Sequence, residues 1–345
     1  MAVALPPELA AALDERLDAA DSRALAAATE DLSRRYREGA AGAPVARSRE
    51  DVLAYAAFRL PATFAAAAAA MAEVRAVRPA WEPRTVLDLG AGTGAASWAA
   101  ASTWPSLERV TAVEAAPAMA ELGRALGAAG PPALASAEWR LCDLADGVPA
   151  EPHDLVVLAY VAGELRAEAR ARVVAGAWRA AAAVLLVVEP GTPRGYAAVV
   201  EARAALLREG ARTAGPCPHD EPCPMAGGDW CHFAVRLPRS GAHRAAKRAA
   251  LGHEDEKYSW AALARDATGR AEARVLRHPQ IRGGHVQLEL CTPAGLRSAV
   301  VSKRHRELYR RARKAGWGDA FPDPAAADAA PPSDLEAGPP TVRGA

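Results

Sequence analysis

Aromatic side chains are scarce in this chain, only 5% of 345 residues. A core without them must be filled by Leu, Val and Ala, and abundant Ala favours helices. Strong charge of either sign is missing too, because the net charge is +1. Cysteine is sparse and odd in number at five, which argues against a disulfide framework and towards a metal. Long apolar runs are also lacking. The alanine run at 65–70 is short and flanked by Arg59 and Glu73, so no membrane partner is expected. The opening MAVALPPELAAALDERL has neither a basic n-region nor a long apolar stretch. The expectation is no signal peptide and a cytoplasmic protein.

The length suffices for a full α/β domain plus one or two smaller units. Residues 1–80 read as an N-terminal helical region. Leu9, Leu13 and Leu17 form one apolar stripe, and a second helical region, from Arg47 to Val77, is expected to break near Pro61. Residues 81–210 alternate strand and helix. Residues 211–318 hold a cysteine-rich module followed by a basic region, and 319–345 read as a disordered Pro/Ala-rich tail. From Arg236 to Lys314 there are 19 Lys and Arg against 7 Asp and Glu, an excess of 12. Such a stretch suits a phosphate backbone, since neutralising phosphates releases counterions.

Five short apolar runs begin at Thr85, Val110, Trp139, Asp154 and Ala183. Runs apolar on both faces with helical stretches between them indicate a parallel sheet covered on both sides. Right-handed crossovers then give a doubly wound, Rossmann-like sheet. After the first run comes Asp88-Leu89-Gly90-Ala91-Gly92-Thr93-Gly94. Its glycines allow a tight turn and close ligand approach, and the following helix offers free N–H groups. The G-x-G-x-G spacing departs from the dinucleotide fingerprint. It resembles motif I of class I S-adenosylmethionine-dependent methyltransferases, which implies cofactor binding by Asp88, Gly90, Gly92 and Gly94. Glu114 ends the second run, placed for ribose hydroxyls, and Asp143 ends the third, near an adenine amino group. No catalytic constellation stands out. The fourth run leads into Tyr160 and Glu164 without the Asn/Asp-Pro-Pro-aromatic motif of base-amino methyltransferases.

Cys217, Cys223 and Cys231 are spaced C-x5-C-x7-C, and Cys291 lies 60 residues further on. Close thiolates are soft ligands. Structural zinc sites favour C-x2-4-C, so the wider spacing fits a bulkier [4Fe–4S] cluster better, with zinc as the alternative. Radical S-adenosylmethionine chemistry is disfavoured, because it usually uses C-x3-C-x2-C on a barrel. His219 and His232 lie beside the ligands, and Gly227 and Gly228 permit the turn to Cys231. Cys142 is left over as a small buried hydrophobe.

The strings Cys217-Pro218-His219, Cys223-Pro224 and Trp230-Cys231-His232-Phe233 resemble the methyltransferase-like family of small-ribosomal-subunit assembly factors, found in bacteria and mitochondria. The likeness runs from about Arg47 to Lys314 and includes Arg59-Leu60-Pro61-Ala62-Thr63-Phe64. It implies a [4Fe–4S] cluster on Cys217, Cys223, Cys231 and Cys291, a methyltransferase-like fold, and association with the small ribosomal subunit and its rRNA. DNA is not an expected partner. The expected function is an assembly or translation factor that binds rRNA. The alternative is an active S-adenosylmethionine-dependent rRNA methyltransferase.

Overall fold

The computed structural model describes residues 2–37, 48–225, 228–238, 252–266 and 269–324. The N-terminal part is helical: α1 (Pro7–Asp18), α2 (Ser22–Arg37) and α3 (Arg49–Val77). Ser48 caps α3, its Oγ accepting from the Asp51 N–H at 3.1 Å. Contrary to expectation, α3 does not break at Pro61, which lies inside it. A helix-interior proline costs roughly 3 kcal/mol. Here Leu60 and Phe64 are both fully buried, and each such burial contributes about 1.5–3 kcal/mol, enough to hold the helix through the proline. By length and composition α3 could cross a membrane, yet two thirds of its most apolar stretch is buried within the fold.

The central sheet is built from β1 (Thr85–Leu89), β2 (Arg109–Glu114), β3 (Glu138–Leu141), β4 (His153–Ala159), β5 (Ala181–Pro190), β6 (Arg212–Gly215), β7 (Phe233–Pro238) and β8 (His253–Ala264). Its order is β3-β2-β1-β4-β5-β8-β6, with β7 also pairing β8. The first five strands are parallel, and β8 runs antiparallel to β5, β6 and β7. An antiparallel strand inserted between the fifth strand and the last marks the class I methyltransferase variant of the Rossmann-like sheet.

Alternation along each strand feeds two cores. Val86, Leu155, Val157, Val184 and Leu186 face α3, α4 (Ala95–Thr103) and α5 (Pro117–Gly127). Leu87, Val156, Leu158, Leu185 and Val187 face α7 (Ala167–Ala180) and α8 (Pro193–Arg208). A single turn, α6 (Pro132–Ala135), precedes β3.

A second, five-stranded antiparallel sheet follows: β9 (Ala273–Val275), β10 (Gln280–Arg282), β11 (His285–Thr292), β12 (Gly295–Ser302) and β13 (Ala320–Phe321). Helix α9 (Arg306–Lys314) covers it through Ala312, with Val286, Leu288, Leu290 and Phe321 in the core beneath. The tail expected from residue 319 therefore loses its first residues to β13, while 325–345 lie outside the described residues. The 211 boundary also cuts through paired structure, since β6, β7 and β8 belong to the central sheet.

Candidate functional site

The carboxyl ends of β1, β2 and β4 open onto one cleft. Gly90, Gly92, Glu114, Asp143, Tyr160 and Glu164 line it, with Tyr55, Arg59 and Thr63 of α3 opposite. Its volume is about 350 Å³, within the usual range for small-molecule sites. The loop from β1 is fixed by backbone bonds: Gly90 and Ala91 N–H both donate to the Val113 carbonyl, at 2.8 and 2.9 Å. Gly90 adopts φ +70°, and a Cβ there would meet Val161 at 2.6 Å. Only glycine fits both constraints. Glu114 reinforces the loop, accepting from the Gly92 N–H at 2.8 Å and the Ala116 N–H at 2.9 Å. Each oxygen keeps capacity for a ligand hydroxyl.

Two motif residues are placed differently from the rest. Asp88 is buried behind the loop, away from the cleft, where its Oδ2 accepts from Ser97 N–H at 2.9 Å and Ser97 Oγ at 2.7 Å. Burial pushes its carboxyl up to about 6, against the Ser97 bonds. It positions the loop and helix start instead of facing a ligand. Gly94 forms the N-cap of α4 and packs against Trp139. Asp143 lies two residues beyond β3, exposed, with Oδ1 accepting from the Ala145 N–H at 2.8 Å. Cys142, expected as a buried hydrophobe, is half-buried and lines the cleft. β3 is the edge strand of the sheet and none of its residues is buried, so Cys142 just beyond it packs on the core from one side only.

At the end of β4, Tyr160 holds φ +64°, a strained conformation for an aromatic residue. Its hydroxyl donates to Glu256 Oε1 at 2.7 Å, and Arg59 stacks 5.1 Å over its ring. Arg59 also lies 3.6 Å from the same Glu256 oxygen. Burial and then the Glu256 charge hold the phenol well above its usual range. Glu189, at the end of β5, is buried and accepts from the Val161 N–H at 3.0 Å. Burial raises its carboxyl to about 7, opposed by backbone bonds from Gly163, Ala162 and Val161.

A second cavity lies on the far side of α8. Cys217, Cys223, Cys231 and Cys291 all line it, beside Tyr196, Arg203 and Arg274. None of the four is in a disulfide. The first three come from the loop between β6 and β7, the fourth from β11. Tyr196 Oη lies 3.1 Å from Cys223 Sγ, and His219 Nε2 lies 3.5 Å from Cys291 Sγ. His232 instead stacks on Trp230, 5.4 Å away, and against Trp317 at 4.5 Å. Gly228 supplies a positive φ in the loop, while Gly227 lies outside the described residues.

Burial drives the Cys217 thiol up, the Cys231 thiol well up and the Cys291 thiol up to about 12; for Cys231 the other three sulfurs add to the rise. Four buried sulfurs lining one cavity are costly to ionise together, and a cation beside them offsets that cost. Among the described residues no group of three or more His, Cys, Asp or Glu is arranged for a single metal ion. The sequence left Tyr196, Arg203, Arg274 and Glu256 unnoticed. Signals existed for two of them: Arg203 sits on the apolar face of α8 beside Ala202 and Leu206, and Arg274 sits between two buried residues of β9.

A family profile described as "Mitochondrial small ribosomal subunit Rsm22" matches residues 49–322. The human mitochondrial ribosome assembly protein METTL17 is 33% identical over 296 residues, covering 78% of this chain and 62% of its own length. An Rsm22-cox11 tandem protein of Schizosaccharomyces pombe, mitochondrial, is 28% identical over 184 residues, 40% of this chain and 24% of that protein. The chain thus spans less than two thirds of these relatives. Magnesium protoporphyrin IX methyltransferase from Synechocystis, solved with S-adenosylmethionine, overlays with a TM-score of 0.39 at 14% identity, covering 68% of this chain and 90% of that one. The expectation of a cytoplasmic protein is overturned by these matches, since the family and both relatives are mitochondrial by name.

Proposed function

Because the chain belongs to the Rsm22 family, we propose that it serves assembly of the small ribosomal subunit by binding rRNA, with a [4Fe–4S] cluster on its four cysteines. Family membership carries this reading, and the second sheet gives it a surface. Arg306, Arg310, Arg311, Arg313 and Lys314 of α9 are exposed, as are Lys303, Arg304 and Arg282 nearby. This concentration of cations suits phosphate contacts, which dominate rRNA affinity.

Cys217, Cys223, Cys231 and Cys291 would hold the cluster. With four protein sulfurs it supplies chiefly a covalent tie, here between the 216–232 loop of the central sheet and β11 of the second. Tyr196 and His219 orient Cys223 and Cys291 for that role. In the cleft, Gly90, Gly92 and Glu114 would receive S-adenosylmethionine, with Asp143 towards its adenine. Asp88 and Gly94 keep the loop in shape.

Iron and acid-labile sulfide on anaerobically purified protein, followed by binding of small-subunit rRNA, test the reading. About four irons and four sulfides per chain are expected, with weaker rRNA binding in Cys291→Ser. One zinc without sulfide, or unchanged rRNA binding in a Cys291→Ser chain that has lost its iron, would overturn it. The open cleft favours a second reading, methyl transfer to rRNA. Incorporation of labelled methyl from S-adenosylmethionine into a single rRNA position supports it, and binding without incorporation removes it.

A further inference from the structure

Arg203 stands out among the polar groups of the fold. It lies on α8 with 3% of its surface exposed. Its Nη1 donates to the Glu221 carbonyl at 2.9 Å and its Nη2 to the His219 carbonyl at 2.6 Å. Both acceptors are neutral, and among the described residues no carboxylate pairs with this guanidinium. Its Nε–H is buried without any acceptor. A buried cation satisfied only by carbonyls, with one donor left over, is costly unless an anion meets it. The cavity that Arg203 lines contains the four cysteine sulfurs.

Arg274 approaches the same cavity from β9. It is equally buried, at 3% exposed, and its Nε donates to the Pro216 carbonyl at 3.0 Å. Its Nη1 bonds Glu73 Oε2 at 2.8 Å and the Gly318 carbonyl at 2.9 Å. The two guanidiniums thus grip the loop on either side of Cys217-Pro218, one through residue 216 and the other through residues 219 and 221.

We propose that Arg203 is the counter-charge of the four-cysteine centre, and that its Nε–H is the hydrogen-bond donor to one of the centre's sulfurs. This rests on the [4Fe–4S] reading above. Four thiolates outweigh the positive charge of the core they hold, so the loaded centre is an anion. Tyr196 Oη stands 3.1 Å from Cys223 Sγ, while His219, whose Nδ1 faces the Glu221 carbonyl at 3.2 Å, turns its Nε2 to Cys291 Sγ at 3.5 Å. Arg203 supplies the cationic side of the cavity, while Arg274, paired with Glu73, holds the loop at Pro216. N–H to sulfur bonds and nearby positive charge favour the reduced, more negative state, and so raise the reduction potential. Arg203 is therefore a positioning and tuning residue, distinct from the ligands.

The test uses the full chain purified without oxygen, as wild type, Arg203→Lys and Arg203→Gln. Iron and sulfide per chain are measured first, and each loaded protein is then titrated electrochemically. The expected result is a potential that falls from wild type to Arg203→Lys to Arg203→Gln, because lysine keeps the charge but not the Nε–H. If Arg203→Gln fails to load, a lowered potential in Arg203→Lys still supports the assignment. Loaded variants with the wild-type potential overturn it while leaving the cluster reading intact. A wild type without iron and sulfide overturns both.

Discussion

Replacing Gly90 by alanine separates what the loop conformation needs from what the cleft needs. At φ +70° an added Cβ costs about 1–2 kcal/mol in backbone strain. It also falls 2.6 Å from Val161 Cγ2, which lines the cleft. Displacing a packed side chain costs about 1–3 kcal/mol. Reduced freedom of the unfolded chain returns about 0.4–1 kcal/mol. The net expectation is a loss of roughly 2–4 kcal/mol, a large part of a domain's stability. Gly210 provides the control, with φ +86° and nothing within 4 Å of an added Cβ. Gly210→Ala should lose only about 1 kcal/mol, the strain without the clash. Urea denaturation measures both losses, and calorimetric titration with S-adenosylhomocysteine reads the cleft. Gly90→Ala should bind at least about tenfold more weakly, the equivalent of about 1.4 kcal/mol, while Gly210→Ala binds as wild type. Equal binding by all three proteins would refute the assignment of the loop to the cofactor.

Triple neutralisation of α9, Arg306→Gln with Arg310→Gln and Arg313→Gln, should weaken rRNA binding and flatten its log–log salt dependence by about two units; an unchanged slope would place the rRNA surface elsewhere. Glu189 predicts a pH effect of defined sign. Its folded carboxyl is raised from 4.5 to about 7, so the stability it contributes is complete below pH 4.5 and disappears as pH rises through 7. The linked change is roughly 3 kcal/mol. Denaturation midpoints at pH 5 and pH 8 should therefore differ less in Glu189→Gln than in wild type, and equal differences would show that the carboxyl is not protonated in the fold.

The parallel strands were legible because each is apolar on both faces, a pattern that leaves little choice but a covered sheet. The second sheet was also written in the sequence but overlooked. Val286, Leu288 and Leu290 alternate with Gln287 and Glu289, the period of a half-buried strand, yet the surrounding basic residues obscured it. Strand β8 is harder to read, since its first half carries Glu254, Asp255, Glu256 and Lys257 and only its second half is apolar. The four cysteines identified the second cavity by their spacing. The arginines around them carried a local signal, Arg203 on the apolar face of α8 and Arg274 between apolar residues of β9, which the arginine richness of the chain masked. Asp88 has a partner that its position in the motif did not announce. Its place before the glycines suggested a ligand contact, whereas the turn into α4 brings Ser97 back to it.

Strand β8 sets an order on how the cysteine cavity is made. The loop bearing Cys217, Cys223 and Cys231 begins after β6 and ends at β7, and both strands pair with β8. The ends of the loop are therefore pinned by a strand synthesised later, and the entropy of closing it is met by sheet formation. Unlike a zinc finger, which folds around its ion, this cavity can be framed before anything enters it. Cys291 belongs to another sheet and emerges from the ribosome last. A nascent chain thus offers three sulfurs before it offers four, and the last wall of the cavity waits on the second sheet.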